Sequence, residues 1–216
     1  MIKQFGKCIF FELCLLIILW PIQGQARENR VAIASAHPLA TYAGFEIIEK
    51  GGNVFDAAVA VSAALAVVEP AGSGLGGGGF WLLHRAKDGF ETMLDGREKA
   101  PLAASPTMYL DKQGNIINNL STDGALAAGI PGMPAALVHL SAKYGKLTLE
   151  ETLEPAIRYA RNGFRIGPRH IKLLAFRQTV LQQSPEATKI LLHNGKIPKQ
   201  RSLNANFTAN KACTVT

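Results

Sequence analysis

The sequence predicts a mixed α+β unit. Three observations carry that reading. Two apolar helical segments precede a run of glycines. Two short apolar strands follow it directly, on either side of an Asp-Gly turn. Further helical segments with charged faces come after residue 133. No internal repeat or low-complexity linker divides the chain. With 216 residues, 48% hydrophobic and 18% charged, it fits a globular protein of one domain, or at most two.

The elements follow in order. Residues 31–36 form a short apolar run with the β-branched Val31 and Ile33 and are predicted as a buried strand. Ala40, Ala43, Gly44, Ile47 and Ile48 recur at helical spacing, so 39–50 is predicted as an amphipathic helix stopped by Gly51-Gly52. Asn53 is a good cap for a second helix, and Asp56 suits its positively polarised first turn. From 57 to 68 only Ser62 is not apolar, which predicts a helix buried all round. Residues 80–85 and 91–94 are predicted as strands turning at Asp88-Gly89.

Beyond them, 104–124 is turn-rich without an assignable element, and 125–129 is predicted as a short strand. Pro131-Gly132-Met133-Pro134 opens a helix near 134–145. Thr148 caps the next, 149–162, with Glu150 and Glu151 at its positive end and Arg158 and Arg161 toward the other. Asn162-Gly163 stops it. Helical segments are also predicted at 168–183 and 185–193.

The two ends differ from this body. Residues 1–26 have the layout of a secretory signal: Lys3 and Lys7, an apolar run from Cys8 to Trp20, then Pro21 and the small-x-small site Gly24-Gln25-Ala26. A membrane anchor would need about 20 apolar residues, and this run is shorter and holds Glu12. The expected location is therefore secreted or periplasmic, with no stable membrane span. From 200 to 216 the chain is polar, without acids or period, and reads as a divergent, disordered tail.

Charge and cysteine exclude several functions. The formal charge is +7, yet 27–198 holds 18 bases against 15 acids, so the excess sits mainly at the ends and argues against a nucleic-acid face. Cys8 and Cys14 belong to the signal and Cys213 to the tail, leaving the body without a disulfide or thiolate site. His37, His84, His139, His170 and His193 fall in no metal spacing, so no metal is expected.

Two features remain as candidates for binding. Gly74, Gly76 and Gly79 match G-x-G-x-x-G, but the order is helix, loop, strand, the reverse of a dinucleotide site. The run of glycines at 76–79 instead suits a backbone passing close to another segment or a ligand. Arg97 follows a predicted strand. It is either a two-point clamp for a substrate carboxylate or a surface arginine beside Glu98. No Ser, Cys or Thr stands beside an evident base, and no G-x-S-x-G occurs.

Several motifs together resemble one family. His37-Pro38-Leu39-Ala40, Gly51-Gly52-Asn53-Val54-Phe55-Asp56-Ala57-Ala58, Val68-Glu69-Pro70 and Gly74-Leu75-Gly76-Gly77-Gly78-Gly79-Phe80 are similar to the N-terminal part of γ-glutamyltranspeptidases (glutathione hydrolases). Asp95-Gly96-Arg97-Glu98-Lys99-Ala100-Pro101, Ile130-Pro131-Gly132, Tyr144-Gly145-Lys146, Glu154-Pro155-Ala156 and Asn162-Gly163-Phe164 continue the match in order. The resemblance implies an N-terminal-nucleophile (Ntn) hydrolase with αββα layers. Its proenzyme cuts itself into a large and a small subunit. A new N-terminal threonine then attacks the γ-glutamyl amide of glutathione or another γ-glutamyl peptide, with its own amine as base. It implies that Arg97 binds the α-carboxylate, and it implies no cofactor.

The sequence departs from that pattern where the chemistry should be. No Thr-Thr-His occurs, so the catalytic set is expected to be absent. Met133-Pro134 replaces the family's usual pair after the Pro-Gly turn. The expectation is a partial large-subunit domain over 27–199, inactive alone, whose partner would be the small-subunit portion. Such a part should expose apolar faces, on the 57–68 helix or its sheet partners. The alternative is a non-catalytic protein binding γ-glutamyl compounds or glutamate. A β-lactam acylase relative also fits.

Overall fold

The computed structural model describes residues 31–199; the signal segment and the tail beyond Lys199 lie outside the described residues. Six α-helices and one hairpin are described: α1 Pro38–Glu49, α2 Val54–Val68, β1 Phe80–Arg85, β2 Phe90–Asp95, α3 Met133–Tyr144, α4 Leu149–Asn162, α5 Pro168–Gln182 and α6 Pro185–Leu191.

Local sequence explains the helix ends. His37 caps α1 by accepting the Leu39 N–H at Nδ1, 3.2 Å. Gly51, at φ 91°, closes α1: the Gly52 N–H reaches back to the Ile47 carbonyl at 3.0 Å, as in a Schellman turn. Asn53 and Asp56 form a reciprocal capping box at α2, and Thr148 and Glu151 form another at α4.

Helix α2 is the centre. Ala40 and Ala43 of α1 pack with Val59, Ala63 and Ala64 of α2, and Leu137 and Leu140 of α3 close the far side. Among its residues only Val54 is exposed, as the apolar pattern predicts. Asp56 is fully buried at the start of α2. Its carboxylate accepts the N–H groups of Asn53 at 2.8 Å and Lys146 at 2.9 Å, and a longer one from Leu147 at 3.4 Å. The Asn53 amide donates to the Tyr144 carbonyl at 2.7 Å. One residue pair therefore fixes the α3–α4 connection to α2.

The hairpin pairs Phe80 with Asp95 through Arg85 with Phe90 in antiparallel register. Trp81, Leu83 and Leu94 face the core, and Leu83 is buried. The opposite face shows Phe80, Leu82 and Met93 to solvent, with Leu82 84% exposed. The expected apolar exposure thus falls on the sheet and not on α2, which α1, α3 and α4 cover.

Two predicted strands are not strands. Residues 31–36 keep the alternation of half-buried and exposed side chains, but no segment pairs with them among the described residues. Residues 125–127 form a 3-10 turn that begins after Gly124 at φ 85°, and the strand-like pairing moves one step on, to a bridge between Ile130 and Lys99. The unassigned 104–124 segment is turns, with one small bridge between Leu110 and Ile116 closed by Asp111.

Candidate functional site

The hairpin ends in two glycines that continue its ladder. The Gly79 N–H donates to the Gly96 carbonyl at 3.2 Å, and the Gly96 N–H to the Gly79 carbonyl at 3.0 Å. The glycine loop then crosses the segment after β2. A Cβ at Gly78 would stand 2.5 Å from the Gly96 carbonyl oxygen and 2.7 Å from the Arg97 Cα. Gly132 presses on the same place from the other side, where its Cβ would overlap the carbonyls of Gly96 and Arg97. Only glycine permits three backbones to meet this closely.

Helix α3 starts at this junction without a side-chain cap. Its first donors are satisfied by the loop instead. The Gly77 carbonyl accepts the N–H groups of Gly132 and Met133, both at 3.1 Å. The departure at Met133-Pro134 is absorbed here, because a proline in the first turn removes a donor that helices leave unpaired.

A cleft of about 340 Å³ opens beside the junction, lined by Asp95, Arg97, Lys99, Ile130, Gly132 and His139 among others. Asp95 shapes it: its Oδ1 accepts the Arg97 N–H at 2.9 Å, which turns the chain out of β2. The Arg97 side chain is 69% exposed, and its nearest acid is Glu98, at 3.9 Å from Nε. That separation is too long for a hydrogen-bonded fork, and the guanidinium faces solvent. No hydroxyl or thiol side chain lines the cleft. The cations Arg97 and Lys99 in its lining suit an anion.

The structure therefore brings together the two features marked in the sequence, the glycine loop and Arg97. Lys99 and His139 were not marked, although both line the cleft. Lys99 carries no readable signal beyond lying two residues from Arg97, because its place in the cleft depends on the bridge to Ile130. For His139, on α3, the sequence offers none.

A second, smaller cavity of about 110 Å³ lies where α1, α2 and α5 meet, lined by His37, Glu69, Phe164, Arg169 and His170 among others. The Phe164 ring stands edge-on to both imidazoles, at 6.2 Å from His37 and 5.9 Å from His170. Glu69, 6% exposed, accepts from Arg169 Nε at 2.7 Å. The His170 Nε2 is buried without a hydrogen-bond partner.

Comparison with known proteins matches residues 40–210 to the family model described as gamma-glutamyltranspeptidase, which runs past Lys199. The glutathione hydrolase proenzyme of Pseudomonas sp. (strain A14) is 46% identical over 147 residues, covering 68% of this chain and 25% of the relative. That of Bacillus subtilis (strain 168) is 38% identical over 170 residues, covering 78% and 29%. Among solved structures, the gamma-glutamyltranspeptidase of Helicobacter pylori superposes with a TM-score of 0.78 at 41% identity, over 82% of this chain and 51% of that one. The cephalosporin acylase of Bacillus halodurans superposes at 0.69 and 28% identity, over 86% and 36%. The chain thus spans about a quarter of the length of these curated relatives and about half of the Helicobacter chain. Its helices and hairpin are the corresponding part of a mixed α+β, Ntn-hydrolase fold.

Proposed function

The chain belongs to the γ-glutamyltranspeptidase family, and from that premise we propose that it is the large-subunit part of a glutathione hydrolase proenzyme that binds the γ-glutamyl group. Arg97 receives the α-carboxylate of that group by a two-point charged contact. The observation that supports this role is its position. The guanidinium stands in a cleft with its donors uncommitted, on a backbone held by Gly78, Gly132 and Asp95.

The family reaction is hydrolysis or transfer of the γ-glutamyl group by an N-terminal threonine. That threonine opens a Thr-Thr-His stretch which these 216 residues do not contain. The chain is therefore inactive alone and acts with the small-subunit portion as partner. The 27–199 segment is the large-subunit domain, 1–26 its export signal and 200–216 a tail. The compartment is secreted or periplasmic. No described helix is long and apolar enough to cross a membrane.

The purified chain should release no p-nitroaniline from γ-glutamyl-p-nitroanilide, and turnover by it alone overturns the reading. Supplying the small-subunit portion should restore activity, and Arg97→Ala should remove it. A second reading has its own support: no hydroxyl or thiol lines the cleft. Under it the chain is a non-catalytic binder of γ-glutamyl compounds or glutamate. Saturable glutathione binding, with no activity after the small subunit is supplied, would favour it.

A further inference from the structure

Helix α5 begins at the smaller cavity with its first donors unused. Gly167 precedes the helix and has no side chain to cap it, and Pro168 has no N–H. The next two N–H groups, of Arg169 and His170, find no acceptor among the described residues. The first to be taken up is that of Ile171, which donates to the Gly167 carbonyl at 3.2 Å. With 15 residues behind it, this end of α5 carries partial positive charge and donors suited to an anion.

Two imidazoles line the same space. His37 accepts the Leu39 N–H at Nδ1, so in the neutral ring the proton sits on Nε2, which has no partner among the described residues. His170 is 8% exposed, and its Nε2 is buried without a partner. Buried ring nitrogens are paired in most folded proteins, so an orphan beside uncapped N–H groups points to a ligand.

The charges decide which ligand. Glu69 is the one acid in the lining among the described residues, and Arg169 matches it through Nε at 2.7 Å. Burial holds both imidazoles below their ordinary value of 6.5, against the pull of Glu69, so both are neutral at neutral pH. The lining then has no net charge, and Glu69 repels an incoming anion. A proton on His37 or His170 turns the balance positive. The space of about 110 Å³ equals roughly three to four waters of the liquid, which exceeds a halide and admits a carboxylate of one or two carbons.

We propose that the cavity at the start of α5 binds a small monovalent carboxylate, taken up together with one proton. One oxygen accepts from the N–H groups of Arg169 and His170, and the other from the imidazoles. The ligand ties α5 to the segment before α1 and to the end of α2, which supply His37 and Glu69. The site shares no lining residue with the Arg97 cleft and does not depend on the reading of that cleft.

The test is an NMR titration of the 216-residue chain with sodium acetate, at about pH 5.5 and about pH 7.5, with sodium chloride at equal ionic strength as control. The amide resonances of Arg169 and His170 should move and saturate with acetate and stay in place with chloride. Acetate should bind at least about tenfold more tightly at the acid pH, since one proton taken up with the ligand contributes up to about tenfold per pH unit. Glu69→Gln removes the repelling charge, so it should bind acetate at the neutral pH more tightly than the wild type does. His170→Leu should lose saturable binding; should that variant fail to fold, the wild-type resonances and the gain in Glu69→Gln still decide. No saturation at either pH, shifts that miss these two amides, or equal affinity at the two pH values overturns the proposal. So does chloride acting as acetate does, or weaker binding in Glu69→Gln.

Discussion

A side chain at Gly78 would begin 2.7 Å from the Cα of Arg97. The neighbours are backbone, which cannot swing aside as a flexible side chain can. Gly78→Ala should push the 96–98 segment out and move Arg97 with it. Overpacking of this kind costs roughly 1–3 kcal/mol. The expected outcome is a lower Tm and at least tenfold weaker binding of γ-glutamyl ligands. Gly76→Ala is the control, because nothing lies within 4 Å of its Cβ position. Equal behaviour of the two variants would show that the close approach does not position Arg97.

What could be read from the sequence follows from the range of each cause. The caps at Asn53 and Thr148 and the stops at Gly51 and Gly163 act within a few residues, so the helix ends were legible. The turn at Asp88-Gly89 was legible for the same reason. Residues 31–36 have the composition of a strand, but a strand also needs a partner, and pairing is tertiary. Residues 125–129 failed similarly: the bridge forms at Ile130 because Lys99 lies opposite. Within the site, the glycine loop and Arg97 carried signals of their own. Lys99 became visible only once its bridge to Ile130 was placed, and His139 only once α3 was placed against it.

Asp56 connects two distant pieces of chain and should be sensitive. It is fully buried and accepts N–H groups from Asn53, Lys146 and Leu147. Asp56→Ala leaves those donors without an acceptor, at about 1–3 kcal/mol for each one that stays buried. The total stability of a domain is only about 5–15 kcal/mol. Denaturant titration should therefore show Asp56→Ala largely unfolded or shifted by several kcal/mol. Asp56→Asn, which keeps one acceptor oxygen, should fall between it and the wild type. A shift below about 1 kcal/mol for the alanine variant would mean that solvent reaches these donors.

The exposed face of the hairpin should govern self-association. Leu82 and Met93 are paired across the strands, 84% and 60% exposed, with Phe80 beside them. An apolar strand surface with free edges invites contact between copies. Leu82→Lys with Met93→Glu places opposite charges across the ladder and removes that surface. Light scattering at matched concentration should show less association, with Tm nearly unchanged because neither residue packs on the core. Unaltered association would locate the sticky surface elsewhere.

Acid should loosen the contact between α5 and the rest of the fold. Burial lowers the pKa of His170 below the ordinary imidazole value of 6.5, with Glu69 opposing that shift and His37 adding to it. Burial also lowers His37, again against the pull of Glu69. Arg169, from the first turn of α5, already pairs with Glu69, so that carboxylate is shared and cannot fully compensate a buried imidazolium. Both imidazoles are thus neutral in the folded state at neutral pH. The unfolded chain takes up their protons first, as pH falls below about 6.5, so stability is complete above that pH and declines beneath it. The decline continues until the folded groups also titrate, and then levels off. Denaturant titrations between pH 8 and pH 5 should show this slope, and it should be shallower in His170→Leu. A wild-type slope of zero over that interval, or one that His170→Leu leaves intact, would remove His170 as the source.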